Sequence, residues 1–207
     1  MPRSLFSYVV RYDSGFAPNP FHGYCTLATC KPRIRKYAQV GDWVVGTGSN
    51  KRRVRRGGHL VYAMRVTEVL STAEFWNDPR FEKKKPNLLY NWVTASGDNI
   101  YEPLGQDCWR QLSSYHSNED GSRRDDHVRR DTGVERILVS DEFVYFGAEG
   151  PKLPAQFLDG GSVQICLHRG YRRVRSEPVI AAFENWIMSL AKAGFQGKPW
   201  DWVERRG

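Results

Sequence analysis

An α+β fold, built on a small barrel or strongly curved mixed sheet of about six or seven strands with a few helices around its rim, is the class this sequence predicts. Three observations carry that expectation. Short apolar runs separated by Gly-, Pro- and Asp-rich breaks recur along the 207 residues. In the clearest, residues 60–66, Leu60, Tyr62 and Met64 alternate with Val61, Ala63 and Arg65, the period of a strand with one face buried. A single long apolar stripe of helical period appears only near the end, at residues 178–194.

In order along the chain, residues 5–11 read as a first strand. The Gly- and Pro-rich stretch from Asp13 to Pro20 follows, and those residues forbid regular structure there. Residues 24–29 read as a second strand, and residues 31–38, with Pro32 near their start, as a short helix or turn. A turn at Gly41 and Asp42 then opens a hairpin: residues 43–45, a Gly46-Thr-Gly-Ser-Asn50 bend, a basic tip and residues 60–66. A short helical turn is expected to end at Asn77, before Asp78 and Pro79. Lys83, Lys84 and Lys85 precede Pro86 on an expected exposed loop, and residues 117–133, almost wholly polar, read as a long loop or insertion. Strands are expected at residues 136–139, 143–146 and 162–167. In the closing helix, Pro178 suits a first helical position, Val179, Phe183, Trp186, Ile187 and Leu190 form one stripe, and Gly194 marks the end. One domain over residues 1–207 is the expectation, since this length suits one well-buried core.

Composition narrows the partners. Lys and Arg number 31 against 23 Asp and Glu, a net charge of +8, which favours a phosphate backbone over a small metabolite. Lys51, Arg52, Arg53, Arg55 and Arg56 crowd the hairpin tip, and charge at that density calls for an anionic partner. Those five residues, with Lys83, Lys84 and Lys85, are the expected contacts to a nucleic-acid backbone. Seven Trp, ten Tyr and ten Phe argue against disorder. No apolar run approaches the roughly 18 residues of a membrane helix, and the N-terminal segment lacks the apolar core of a secretory signal. A cytoplasmic protein without membrane partners is expected. Cys25, Cys30, Cys108 and Cys166 form no C-x-x-C pair and read as reduced thiols, with Cys25, Cys30 and a distant His as the metal alternative.

Candidate chemistry gathers in two places. Asp13 opens the first loop beside Asn19 and His22, a set suited to reading a base edge, to acid/base work, or, for Asp13, to plain turn formation. Asp98, Asn99 and Tyr101 with His116 and Ser117 form the second set, and Asp120, His127 and Asp131 stand near them in sequence. Such groups could hold a cation for hydrolysis, or cap helices and turns. The Gly46–Asn50 bend, with Ser49, could offer N–H groups and a hydroxyl to phosphate, without the Lys and strand-to-helix setting of a P-loop. Trp43, Trp76 and Trp92 are candidates to stack on a base or to sit in the core. Asp13, Asp98 and His116 are thus the candidate catalytic residues. Asn19, His22, Trp43, Ser49, Trp76, Asn99 and Tyr101 are the candidate base pocket, and no metal or cofactor is expected.

The run from Gly41-Asp42-Trp43 through residues 60–70 to Phe75-Trp76-Asn77-Asp78-Pro79 resembles the PUA-like barrels, including EVE and YTH domains. A wider likeness covers residues 5 to 170. It rests on Arg11-Tyr-Asp-Ser-Gly-Phe-Ala-Pro-Asn-Pro-Phe21, Gly41-Asp42-Trp43 with Gly46 to Ser49, Gly97-Asp98-Asn99-Ile100-Tyr101, Tyr115-His116-Ser117 and Val139-Ser-Asp-Glu-Phe-Val-Tyr-Phe-Gly147. Together these resemble the second nucleotide-modification-associated domain family. The resemblances imply a PUA-like barrel that holds a flipped or modified base, in a prokaryotic or phage-linked system of DNA base hypermodification. They imply DNA before RNA as partner, along with other proteins of such a system. A nucleic-acid-binding protein that recognises, and could also act on, the base is the expectation, with a base-directed hydrolase, glycosylase or group transferase using Asp/His acid-base chemistry in the same pocket as the alternative.

Overall fold

The structure is a computed structural model that describes residues 3–50, 55–158, 160–165 and 170–204. In chain order its strands are β1 (Leu5–Val9), β2 (Cys25–Leu27), β3 (Trp43–Thr47), β4 (Leu60–Arg65), β5 (Glu68–Leu70), β6 (Tyr101–Gly105), β7 (Cys108–Gln111), β8 (Ile137–Ser140), β9 (Glu142–Tyr145), β10 (Tyr171–Val174) and β11 (Gly194–Phe195). Its α-helices are α1 (Pro32–Tyr37), α2 (Thr72–Asn77), α3 (Trp92–Ala95), α4 (Asp125–Thr132), α5 (Glu177–Ser189) and α6 (Trp200–Glu204). The chain divides into two compact units. One comprises Met1–Asp13, Ala38–Thr67 and Asp141–Gly207, the other Ser14–Tyr37 and Glu68–Ser140.

The first unit holds a six-stranded sheet in the order β10-β1-β3-β4-β9-β11. β1 runs parallel to β3, and β9 parallel to β11, while the remaining pairs are antiparallel. The Gly41-Asp42 turn is stapled by its carboxylate: Oδ1 accepts the Ser4 N–H at 2.6 Å and Oδ2 the Gln39 N–H at 2.9 Å. β4 lies in the middle of the sheet, and Leu60, Val61, Tyr62, Ala63 and Met64 are all at most 1% exposed. Both of its faces are therefore covered, where the alternation predicted only one. Gly46 belongs to β3 rather than to a phosphate-cradling bend. A Cβ there would stand 2.4 Å from the Tyr62 ring, so close packing requires the glycine.

α5 closes the apolar side of this unit. Its Ile180, Phe183 and Ile187 join Trp43, Val45, Ala63, Val144 and Phe157 in one cluster. The Phe183 ring meets Trp43 edge-on at 5.7 Å and Phe157 at 5.9 Å. The helix ends at Ser189, short of the expected 194, and β11 and α6 follow it, so it does not close the chain. Ala191 takes φ +49° and Gly194 φ +70°, backbone that a continuing helix cannot accommodate. Of the strand expected at 162–167, residues 162–165 are turn and irregular backbone, and 166–167 lie outside the described residues.

In the second unit β8 pairs antiparallel with both β2 and β5, and β6 with β7 makes a separate hairpin. α2 starts on a capping box, the Ser71 side chain accepting from Glu74 N while Glu74 accepts from Ser71 N. The polar stretch 117–133 is not all loop, because α4 occupies its second half. Asp125 and Asp126 stand in the first turn and Arg129 and Arg130 in the last, each sign placed where the helix dipole favours it. Among the described residues no sheet closes on itself, so the expected PUA-like barrel is replaced by separate open sheets. β8 and β9, consecutive in the chain, enter different sheets, which divides the strands a barrel would need in one.

Because Phe183 touches three aromatic rings of the larger cluster, Phe183→Ala is expected to cost about 3–5 kcal/mol of unfolding free energy. Urea unfolding followed by tryptophan fluorescence measures it.

Candidate active site

A fully buried cation organises one end of the second unit. α1 begins at Pro32, and one turn in, the Arg35 guanidinium is 0% exposed. It donates Nε to Cys30 O at 2.9 Å, Nη1 to Val134 O at 2.9 Å and Arg136 O at 3.1 Å, and Nη2 to Asp131 O at 2.7 Å. One side chain thus fixes the strand-to-helix turn that carries Cys30 against the end of α4 that carries Asp131. In that turn Cys30 has φ +58° and Lys31 φ +41°. Two successive non-glycine residues in the left-handed region cost roughly 1–3 kcal/mol each, a strain typical of functional turns.

The strained turn presents a thiol to an imidazole. Cys30 Sγ lies 3.3 Å from His116 Nε2, and His116 Nδ1 lies 2.6 Å from Asp131 Oδ2. The Asp131 carboxylate also accepts the Tyr101 hydroxyl at 2.9 Å on Oδ2, and on Oδ1 the Cys30 N–H at 3.0 Å and Arg130 Nε at 3.1 Å. The His116 backbone is held by Gln111 Nε2 on its carbonyl and by Ser114 Oγ on its N–H. Its ring packs between Phe16 at 4.7 Å and His127 at 4.4 Å.

The charges follow from these bonds. Burial opposes ionisation of Asp131, but hydrogen bonds from His116 and Arg130 and their positive charges hold it below the usual carboxylate range. Burial also opposes protonation of His116. The bonds to Asp131 and Cys30 overcome it and raise its pKa to about 9. For Cys30 burial again works against charge, and the His116 bond with the charges of His116 and Arg130 brings the thiol below its ordinary value. Both shifts favour a thiolate beside an imidazolium, the reactive form of cysteine. His127 is pushed down to about 4, by burial first and then by the charges of His116 and Arg130, so it stays neutral where His116 is charged.

Of the candidates taken from the sequence, His116 and Tyr101 enter this cluster. Asp98 and Asn19 form another arrangement in the same unit, around Lys84. Lys84 is 0% exposed, not on an open loop, and donates to Asn19 O, Asn19 Oδ1 and Tyr24 O. Asp98 Oδ2 accepts the Thr26 hydroxyl at 2.7 Å. Burial lowers Lys84 to about 8 and raises Asp98 to about 6, each group offsetting part of the other's shift. A buried lysine whose bonds go to main-chain and amide oxygens braces the Gly/Pro loop and is closed to a phosphate backbone. Asn99 likewise donates to the Phe75 and Phe81 carbonyls.

The other candidates are dispersed. Asp13, in the first unit, accepts the Tyr145 hydroxyl and is 2% exposed. Trp43 is in that unit's core with Nε1 donating to Glu184 at 2.9 Å, and Ser49 is buried there. His22 is exposed, and Trp76 carries the Lys85 ammonium 4.2 Å from its ring centre. Lys83 and Arg55 are exposed and Arg56 and Lys85 half-buried, whereas Lys51, Arg52 and Arg53 lie outside the described residues. Among the described residues no group of three or more His, Cys, Asp and Glu side chains is arranged to hold a metal ion.

The cysteine, which the sequence offered only as a reduced thiol or metal ligand, is thus the residue missed. Its signal was local: Cys30 falls at the junction of a strand and a Pro-initiated helix, where a nucleophile can be held on strained backbone.

A Cys, His and Asp in hydrogen-bonded series is an arrangement that can activate a nucleophile. The family comparison supplies the biological setting. The model of Nucleotide modification associated domain 2 matches residues 1–206, and the chain belongs to that family. No curated protein and no solved structure matches it.

Asp131→Asn removes the charge that sustains the imidazolium, so the His116 pKa should fall and the Cys30 pKa rise. Each unit of rise costs about tenfold in thiolate below the midpoint. The iodoacetamide rate at Cys30 across pH 5–9 should shift its midpoint upward, and an unmoved midpoint would contradict the electrostatic account.

Proposed function

We propose that this protein is a base-directed enzyme of nucleotide modification that works through a covalent bond to Cys30. The single observation behind it is the Cys30–His116–Asp131 series, with its 3.3 Å and 2.6 Å contacts. The thiolate attacks an electrophilic carbon of the base or of a group attached to it, and a C–S bond forms as that carbon's bond to a leaving group breaks or its π bond opens. The His116 imidazolium gives its Nε2 proton to the anion so produced, and Asp131 keeps that imidazole oriented and stabilises its charge. Attack by water or a second nucleophile, with the neutral imidazole taking its proton, then breaks the C–S bond and returns the thiolate. Family membership supports a nucleotide as the substrate. The net charge of +8 supports nucleic acid, and DNA in particular is the substrate proposed.

The test is incubation with canonical and modified DNA oligonucleotides, followed by nucleoside analysis and intact-protein mass spectrometry. Conversion of one nucleoside, with a mass added at Cys30, is expected. Cys30→Ser should abolish it and His116→Ala slow it by about 100-fold or more. Tight, modification-dependent binding that leaves every nucleoside intact and survives Cys30→Ser would make the protein a reader instead.

A further inference from the structure

We infer that the thiol site receives a substrate by its phosphate group, and that Arg130, next to Lys31, is the residue that anchors it. This deepens the assignment of Cys30 as nucleophile and rests on it. The observation is the number of cations gathered on two acidic groups. Arg35, Arg130, His116 and Lys31 each interact electrostatically with Asp131 or Cys30, and the carboxylate already accepts four hydrogen bonds. Every hydrogen bond of Arg35 goes to a main-chain carbonyl, and the negative charges that face it are those of Asp131 and Cys30, the same two groups that His116 and Arg130 face. Nearby Arg123 and Arg124 are neutralised locally by Asp125 and Asp126.

Arg130 differs from these. Its Nε donates to Asp131 at 3.1 Å and its Nη2 lies 3.4 Å from His116 Nδ1, while the side chain stays 38% exposed. A guanidinium carries five donors in a planar fork, which leaves donors for a tetrahedral oxyanion. Lys31 follows Cys30 directly and interacts electrostatically with its sulfur. A phosphate set between these two cations would leave the attached nucleoside beside the sulfur, and it would do so with no ring-specific contact. The same chemistry fits a free nucleotide or a phosphate along a strand.

The experiment compares two alkylating reagents on the intact protein, neutral iodoacetamide and anionic iodoacetate. Peptide mass spectrometry reads Cys30, with the exposed Cys108 as internal reference. An anion-gathering site should react with iodoacetate faster, relative to iodoacetamide, than Cys108 does. Arg130→Gln should lower that iodoacetate-to-iodoacetamide preference about tenfold, the size of one partly screened charge pair. The variant should also slow iodoacetamide at fixed pH, because Arg130 helps to lower the Cys30 pKa, and the ratio of the two reagents removes that shared loss of thiolate. Arg130→Lys should restore part of the preference. Thymidine 5′-monophosphate or short oligothymidylate should protect Cys30 where thymidine does not, and the better protector identifies a free nucleotide or a strand as the source.

A reagent preference equal to that of Cys108, one unmoved by Arg130→Gln, or protection by neither phosphate compound would overturn the phosphate anchor while leaving the nucleophile standing. Failure of iodoacetamide to label Cys30 ahead of Cys108 would overturn both.

Discussion

Arg35 is the constraint on which the candidate active site depends. A buried guanidinium must have its donors satisfied or pay a desolvation cost of several kcal/mol, and here it finds them in carbonyls from two distant parts of the chain. Because two of these belong to Cys30 and Asp131, hydrogen bonding itself sets the thiol and the carboxylate in register. Asp131 then repeats the device with its side chain, accepting from Cys30, Tyr101, His116 and Arg130. The strained backbone at Cys30 and Lys31 is thereby held from both sides, and the sulfur has little freedom to turn away from the imidazole.

The arrangement also explains how one chain keeps two histidines in different protonation states. His116 and His127 are ring neighbours, yet only His116 has the carboxylate and the thiolate as partners. Burial first, and then the charge of the His116 ring, depresses the other. Such separation of neighbouring titrating groups marks sites of proton transfer, and in this molecule it arises from which imidazole the Asp131 carboxylate reaches.

How much of this was legible in the sequence depends on distance along the chain. The paired strands β3 and β4 and the helix α5 follow local periodicity, and their positions agree with it to within a few residues. The burial of both faces of β4 does not show, because the α5 side chains that cluster with Leu60 and Ala63 arrive more than a hundred residues later. The polar helix α4 hides in a charged stretch, since its support comes from Arg–Asp pairs and the dipole rather than from an apolar stripe. The site itself is the least local feature: Cys30 and His116 are 86 positions apart, and Cys30 and Asp131 are 101. His116, Tyr101 and Asp131 are legible as members of one stretch rich in His and Asp. Cys30 reads only as a reduced thiol or metal ligand, because a lone thiol carries no spacing pattern that marks a nucleophile. Lys84 misled for the opposite reason: its neighbours Lys83 and Lys85 are accessible, and nothing in a Lys-Lys-Lys run reveals which member turns inward.

The first unit is assembled from three separated stretches of chain, and the second from the two stretches between them. The parallel pairing of β1 with β3 already encloses a segment belonging to the other unit, and β10 completes the sheet edge against β1 only after more than 160 residues have been made. Neither unit therefore exists as a continuous fragment. Dissection by truncation, the usual way to ask which half of a protein binds and which half reacts, would sever both at once. Separating them requires joining distant chain ends with new linkers or rearranging the order of the chain.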